Sequence, residues 1–298
     1  MIFCIFSYNR GRHLLNCVSS IEQCIEAPDI RVFDDNSDDP ETLAALAVIA
    51  QKHTVTTPEN DAGQSKHGGL YGNMQRALDS LPGEAYACFL QDDMQLVRPL
   101  SKDELGAIYQ HFEDFESMAF MSPTFLKLSK KEKSLKKILP IDNTFYFTRK
   151  IINQSAGTCY SDIFIAHVGR LQKKRWTFEN REKLNEIQAQ NYFEPMHCLL
   201  SPFIMWLPNV SCYRGKKKSL ALKIAEKQCK AGLYPAKIMT KEESEAFIHR
   251  DDKMLPFAED HISIVGVNLK KPWSLHPLEG RRVLKSLEKI ELAIAKIL

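Results

Sequence analysis

The first 93 residues alternate short apolar runs with amphipathic segments, and this pattern constrains the fold more than any other feature of the chain. Three largely apolar runs predict buried strands, at residues 2–6, 30–33 and 85–90, and residues 53–56 show a weaker strand pattern. Apolar side chains spaced by three and four residues predict helices between them, at residues 11–25, 43–50 and 68–81. Strands that alternate with helices predict an α/β fold with a doubly wound, mostly parallel sheet flanked by helices.

The second half of the chain is less regular. Residues 119–125 are predicted to form a further strand. Ser161 is predicted to be the N-cap of a helix that runs through His167 and Leu171. Thr240 begins a sequence with the spacing of a capping box. Residues 281–298 predict a basic amphipathic helix, whose apolar face we expect to pack on the domain or on a second subunit.

Composition excludes several classes of protein. A net charge of +3 is too small to indicate a nucleic-acid partner. No stretch approaches the roughly 20 apolar residues of a transmembrane helix, and the N-terminal apolar run is too short for a signal peptide. The eight cysteines form no CxxC pair, which favours a reducing cytoplasm over a disulfide framework. We therefore expect a cytoplasmic protein whose membrane contact is at most peripheral, at the inner face.

Polar side chains follow three of the predicted strands at the point where each strand ends. They are Ser7-Tyr8-Asn9, Asp34-Asp35 and Asp92-Asp93. Ligands of open α/β sheets bind beyond the carboxyl ends of the strands, so we expect these groups to converge on one cleft.

The paired carboxylates of Asp92 and Asp93 suit a hard divalent cation, Mn²⁺ or Mg²⁺, which would bridge a diphosphate to the protein. Neutralising a diphosphate stabilises it as a leaving group. Asp35 is placed to accept hydrogen bonds from a ribose or a base. Each acidic pair, taken alone, is also typical of a solvated turn. Ser37 or Asp38 is predicted to be the N-cap of the following helix.

Two basic segments are candidates for phosphate contacts. Lys66 and His67 lie in a glycine-rich loop that leads into a helix, and the amides of a helix N-terminus favour anions. Arg214, with Lys216 to Lys218, lies where a basic segment could close over a diphosphate. The alternatives are a flexible surface loop and a solvated charged face.

The order and spacing of these motifs resemble the GT-A glycosyltransferases of family 2, over residues 2–98. The resemblance lies in Ser7-Tyr8-Asn9-Arg10, the acidic turn 34–39, Asn60 to Gly63, Asn73 to Ala77, and Gln91-Asp92-Asp93. It implies a GT-A domain over residues 1–218, with a nucleotide-sugar half (1–98) and an acceptor half (99–218). A helical C-terminal extension would follow at 219–298.

The resemblance also implies roles for individual residues. Asp35 would contact the base or ribose of a donor, with a UDP-sugar expected, and Ser7, Tyr8 and Asn9 would line the base pocket. Asp93 would bind the metal ion, and Asp92 would lie near the ribose or the metal. Gln91 departs from the family pattern, because an aspartate often stands at this position.

Family 2 enzymes usually invert the anomeric centre, which requires a carboxylate base for the acceptor hydroxyl. Asp162 is our first candidate, and a helix N-terminal role is the alternative for it. Glu182 and Asp260 are further candidates for the base. His197 is available as a metal ligand, but we do not assign it that role.

The sequence therefore predicts an inverting, metal-dependent glycosyltransferase. The acceptor it predicts is a glycan, a lipid-linked molecule or a protein. The alternative is a non-catalytic relative of the same fold that binds a nucleotide or a partner. A nucleotidyltransferase and a dinucleotide oxidoreductase are disfavoured, because the glycine-rich signature of neither follows the first strand.

Overall fold

A computed structural model of the chain describes residues 1–58, 69–141, 146–150, 156–212 and 218–294. Four parallel strands form one half of its main sheet, in the spatial order β3–β2–β1–β4: β1 (Ile2–Ser7), β2 (Asp29–Asp34), β3 (Thr54–Thr56) and β4 (Tyr86–Gln91). Three helices connect them: α1 (Gly11–Cys24), α2 (Pro40–Ile49) and α3 (Gly69–Ser80). These elements lie where the sequence predicts them.

The strands that follow β4 extend this sheet or pair beside it. They are β5 (Met94–Leu96), β6 (Phe120–Ser122), β7 (Ile138–Pro140), β8 (Tyr146–Arg149), β9 (Phe164–His167), β10 (His197–Leu199) and β11 (Ile204–Trp206). Beyond β4 the sheet continues as β9–β6–β10–β8–β7, and β5 pairs with β11 separately. The remaining helices are α4 (Lys102–Asp114), α5 (Lys131–Leu135), α6 (Val168–Lys173), α7 (Glu182–Tyr192), α8 (Leu220–Cys229), α9 (Lys241–Ile248), α10 (Ala258–His261) and α11 (Arg282–Ile294).

The strand β1 shows why the predicted strands read as continuous apolar runs. Phe3 and Ile5 belong to the core that also contains residues of α1 and α4, whereas Cys4 and Phe6 belong to the core that contains residues of α3 and α6. Both faces of the strand are therefore buried, which removes the polar alternation of a half-exposed strand. The predicted α/β class, with a mostly parallel sheet flanked by helices, is confirmed.

Two local predictions are wrong. Residues 164–167 form β9, which pairs antiparallel with β4 and β6, and the helix begins only at Val168. A short apolar run does not distinguish a buried strand from a buried helix. The N-cap of α2 is Asp39, whose carboxylate accepts the N–H of Thr42, because Ser37 instead donates its hydroxyl to Asp34.

The C-terminal region packs on the sheet domain. Met239, Phe247 and Trp273 share one core with Val97 and Phe125. The capping box of α9 and the helical character of residues 282–294 are as predicted. The expected packing of the apolar face of α11 on the domain is wrong, because no residue of that helix is buried. The domain boundary at 218 stays a prediction.

Glu186 fixes the segment that leads to Asp162. Its side chain is fully buried and accepts the backbone N–H groups of Thr158, Cys159 and Tyr160 at 3.1, 3.0 and 2.9 Å. Each buried N–H that loses its acceptor costs about 1–3 kcal/mol. We therefore expect Glu186→Ala to lower the free energy of unfolding by roughly 3 kcal/mol or more, measured by urea denaturation. Glu186→Gln keeps one carbonyl oxygen and should lose less, so an unchanged urea midpoint for Glu186→Ala would contradict the role.

Candidate active site

The carboxyl ends of β1, β2 and β4 meet at one edge of the sheet and enclose a cavity of about 140 Å³. Its lining consists of Phe6, Ser7, Tyr8, Arg10, Asp35, Leu70, Asn73, Gln91 and Asp92. Four of the residues predicted to bind the donor, Ser7, Tyr8, Asp35 and Asp92, thus lie around one space. We call this space the donor cavity.

Backbone hydrogen bonds hold the three strand ends together. The N–H of Asp92 donates to the carbonyl of Phe6 at 3.1 Å, and the N–H of Asp35 donates to the carbonyl of Ser7 at 3.0 Å. Asp35 also accepts the N–H of Gly69, the first residue of α3, at 3.2 Å. Ser7 Oγ is buried and finds no hydrogen-bond partner within the described ranges. An unpaired hydroxyl at the wall of a cavity is a ready partner for a ligand.

Arg10 is a site residue whose contacts the sequence did not predict. Its guanidinium Nη1 lies 3.0 Å from Asp92 Oδ1 and 3.0 Å from Asp93 Oδ2, so one cation bridges both carboxylates. Asp92 is further held by the N–H of Tyr8 at 3.2 Å. Burial opposes the charge of Arg10, but Asp92 and Asp93 together raise its pKa above the ordinary value. Arg10 therefore stays charged and keeps the acidic pair compact.

Asp93 faces a second, larger cavity of about 580 Å³, which we call the outer cavity. Its lining consists of Gln91, Asp93, Lys127, Lys130, Trp206, Leu275, His276, Leu278, Glu279, Lys285 and Glu288. Gln91 lines both cavities, so they adjoin. Lys127 Nζ lies 3.9 Å above the ring of Trp206, and burial lowers its pKa.

A divalent ion fits Asp93 as a single protein ligand. In the part of the chain that the structure describes, no group of three or more His, Cys, Asp or Glu side chains is arranged to hold a metal. Asp93 Oδ1, however, is buried without a hydrogen-bond partner among the described residues. Mg²⁺ commonly uses one or two carboxylates and takes its other ligands from substrate phosphates and water. His276 lines the same cavity, and its Nδ1 accepts the N–H of Leu278 at 3.2 Å.

Asp162 precedes β9 and is hydrogen-bonded by a residue of α3. The hydroxyl of Tyr71 lies 3.1 and 3.0 Å from the two oxygens of Asp162. Burial, and then the charge of Glu182, raise the pKa of Asp162 to about 7, against the opposing hydrogen bond from Tyr71. A carboxylate with a pKa near 7 is suited to act as a general base at neutral pH. Because Asp162 is followed by a strand, a helix N-terminal role for it is wrong.

Asp162 is coupled to residues of the outer cavity through a series of electrostatic interactions. Glu182 interacts electrostatically with Asp162 and with Lys127, and Lys127 interacts with Asp93. Burial raises the pKa of Glu182, and the N–H of Asp162 and the charge of Lys127 oppose this rise. Lys127 thus interacts with the predicted metal ligand and with Glu182, which is the acidic neighbour of the predicted base.

Other predicted residues lie elsewhere or outside the described ranges. The side chain of Asn9 stabilises the turn before α2. Its amide nitrogen donates to the carboxylate of Asp38, and its amide oxygen accepts the N–H groups of Asp38 and Asp39. Asp260 lines a separate cavity of about 430 Å³ in the C-terminal region. His197 pairs with His111 at 2.8 Å, and burial lowers the pKa of each to about 4. Three predicted residues lie outside the described part of the chain, Lys66, His67 and Arg214.

No protein-family profile and no curated protein sequence matches the chain. Three solved structures similar to it are glycosyltransferases. GalNAc-T7 with UDP, GalNAc and Mn²⁺ is 8% identical, with 76% of this chain and 47% of that chain covered and a TM-score of 0.50. This chain has the GT-A fold.

The other two structures have TM-scores below that of GalNAc-T7. S. aureus TarS 1–349 is 15% identical, with 69% of this chain and 60% of that chain covered and a TM-score of 0.44. The Pyrobaculum calidifontis mannosyltransferase PcManGT, with GDP-Man and Mn²⁺, is 11% identical, with 84% of this chain and 70% of that chain covered and a TM-score of 0.47. The chain spans 60% of TarS 1–349 and 47% of GalNAc-T7. Membership of family 2 stays a prediction.

Proposed function

We propose that the chain is a glycosyltransferase that moves a sugar from a nucleotide diphosphate to an acceptor hydroxyl. The observation that carries this proposal is the meeting of Ser7, Asp35 and Asp92 around the donor cavity, with Asp93 facing the adjoining outer cavity. A nucleotide held at the strand ends would direct its diphosphate towards Asp93. The sugar would then extend into the larger space.

The donor side of the mechanism depends on hydrogen bonds and charge. Asp35 accepts hydrogen bonds from the ribose or base, and Ser7 and Tyr8 line the base pocket. A divalent ion at Asp93 Oδ1, Mn²⁺ or Mg²⁺, would supply charge that stabilises the leaving diphosphate. Arg10 keeps Asp92 and Asp93 in place.

The acceptor side depends on Asp162. Its carboxylate takes the proton of the acceptor hydroxyl as the oxygen forms a bond to the anomeric carbon, and the nucleotide diphosphate leaves with the electrons of the bond that breaks. Attack from the face opposite the leaving group inverts the anomeric centre. Tyr71 orients Asp162, and burial together with the charge of Glu182 raises the pKa of Asp162 to about 7, which suits proton acceptance near neutral pH.

UDP is the donor nucleotide we propose, and the acceptor is a glycan, a lipid-linked molecule or a protein. UDP and Mn²⁺ are bound in the structure of GalNAc-T7, which shares the fold. We also propose a cytoplasmic location. Its support is that all eight cysteines lie in the described ranges and are free thiols. No helix among the described residues is long and apolar enough to cross a bilayer.

The second candidate function is nucleotide binding without transfer. It is favoured by the ion pairs of Arg10, because a cation already bridges the two carboxylates that a metal-dependent enzyme would use. It is also favoured by Gln91, which stands where family members often carry an aspartate.

A ligand screen by thermal unfolding tests the proposed function, because a ligand that binds only the native state raises its stability. We expect one nucleotide among UDP-, GDP- and dTDP-sugars to raise Tm, and to raise it further with Mn²⁺. We also expect slow Mn²⁺-dependent hydrolysis of that nucleotide sugar. Binding without hydrolysis would favour the second candidate, and no shift with any of the three would reject both.

A further inference from the structure

The helix α11 packs on the protein through its more polar face. Leu284, Glu288 and Glu291 are its half-buried residues, spaced by four and three. Glu291 accepts the N–H of Leu220 at 2.6 Å and the N–H of Ala221 at 3.2 Å, at the start of α8. Leu284 is the one apolar residue of this face, and it packs against a small core cluster.

The apolar face of the same helix points outward. Val283, Leu287, Ile290 and Ile294 recur at spacings of four, three and four, and their exposed fractions are 74, 46, 56 and 52%. A surface helix of a water-soluble domain normally turns such a stripe towards the core. A contiguous exposed stripe therefore marks a surface that binds another apolar surface.

A second basic element with exposed apolar side chains lies beside α11. Between residues 127 and 137 there are six lysines against one glutamate. Leu135 and Leu139 are exposed apolar side chains, like those of the α11 stripe, with exposed fractions of 53 and 38%. We call residues 127–139 the lysine segment.

Contacts join the lysine segment to Glu279, which lies three residues before α11. Lys130 Nζ lies 3.8 Å from Glu279, and the hydroxyl of Ser129 donates to the same carboxylate at 3.4 Å. Lys127 and Lys130 line the outer cavity together with Lys285 of α11. Both elements therefore contribute residues to the lining of the outer cavity, which Asp93 also lines.

We propose that the stripe of α11 and the lysine segment form a docking surface for an anionic lipid bilayer. Apolar side chains enter the boundary between headgroups and acyl chains, while the lysines of the neighbouring lysine segment meet anionic headgroups. Arg282 and Lys289 are exposed beside the stripe and add to this charge. A second copy of the chain is disfavoured as the occupant, because a two-fold contact would bring these basic surfaces together. The proposal does not depend on the transfer activity.

Flotation with lipid vesicles tests the docking surface. We expect the protein to float with vesicles of phosphatidylcholine and phosphatidylglycerol at 70:30, to stay unbound with phosphatidylcholine alone, and to be released by 0.5 M NaCl. The double variant Leu287→Asp/Ile290→Asp should reduce binding at least about tenfold, because it puts charge on the inserted face. Lys133→Glu/Lys136→Glu should reduce it comparably.

A matched control is available on α2. Leu43 and Val48 are also exposed apolar helix residues, at 50 and 56%, so Leu43→Asp/Val48→Asp should leave binding unchanged. Circular dichroism establishes that every variant is folded. Failure of the wild-type protein to float with anionic vesicles, or equal loss in the α2 control, would overturn the proposal. So would light scattering that shows a dimer which Leu287→Asp/Ile290→Asp dissociates, since it would assign the stripe to a second copy.

Discussion

Replacing Asp162 with Asn is expected to reduce the rate of sugar transfer by about 10²–10⁴-fold, the usual contribution of a general base. The amide keeps an oxygen to accept the hydrogen bond from Tyr71, so the local structure should persist. Asp162 does not line the donor cavity, and the affinity for the nucleotide sugar should therefore be unchanged. Steady-state kinetics give the rate and calorimetry gives the affinity. Turnover close to that of the wild type would place the base elsewhere.

The pH profile of the same reaction identifies the base more directly. Burial and the charge of Glu182 raise the pKa of Asp162 to about 7. A base acts only when it is deprotonated, so kcat/KM of the wild type, which reports the pKa values of the free enzyme, should fall as the pH is lowered below about 7. Glu182→Gln removes a negative neighbour and lowers the pKa of Asp162, which should move this acidic limb to lower pH. If the acidic limb of the Glu182→Gln profile lies at the same pH as that of the wild type, a group other than Asp162 is responsible for it.

The half of the fold that carries the donor cavity could be predicted because its signals are local. The strands β1, β2 and β4 are apolar runs buried on both faces, and polar residues mark where each ends. Parallel strands bring their carboxyl ends to one edge, so the meeting of Asp35 and Asp92 follows from topology alone.

The rest of the site depends on contacts between residues far apart in the chain. β9 enters the sheet between β4 and β6, and its pairing with β4 joins residues about 80 positions apart, such as Ala87 and Ala166. The sequence shows that Arg10 is a cation. That it pairs with Asp92 and Asp93 depends on the positions of the ends of β1 and β4, which lie side by side in the sheet. Tyr71 meets Asp162 across 91 positions. No periodicity of the sequence encodes such contacts.

Asp260 lies apart from these residues. The sequence offers it as a further candidate for the base, but the C-terminal region folds it into a cavity shared with Arg250 and His261. None of the residues that line the donor or outer cavities is found there. Asp162 and Asp260 have the same chemistry, and only the fold separates their environments.

Replacing Asp93 with Ala is expected to abolish the gain in UDP affinity that Mn²⁺ provides. Changes to outer-shell partners of metal ligands already cost about 10–100-fold in metal affinity, so loss of the ligand itself should cost at least about 100-fold. Calorimetric titration of UDP with and without Mn²⁺ measures the effect. Asp79→Ala, which removes an exposed carboxylate of α3, is the matched control. Equal Mn²⁺ dependence in Asp93→Ala and the wild type would reject the metal role.

Arg10 limits which oxygen of Asp93 is open to a metal ion. Its guanidinium hydrogen-bonds Oδ2 of Asp93 and leaves Oδ1 unpaired among the described residues, so a metal ion would bind the oxygen that the arginine does not use. Arg10→Ala removes the internal cation from two neighbouring carboxylates, and their repulsion then favours any added cation. Mn²⁺ alone should therefore raise the Tm of Arg10→Ala more than that of the wild type. An equal rise in both proteins would mean that the ion does not bind at this carboxylate pair, and the donor diphosphate would then rely on basic side chains for its charge.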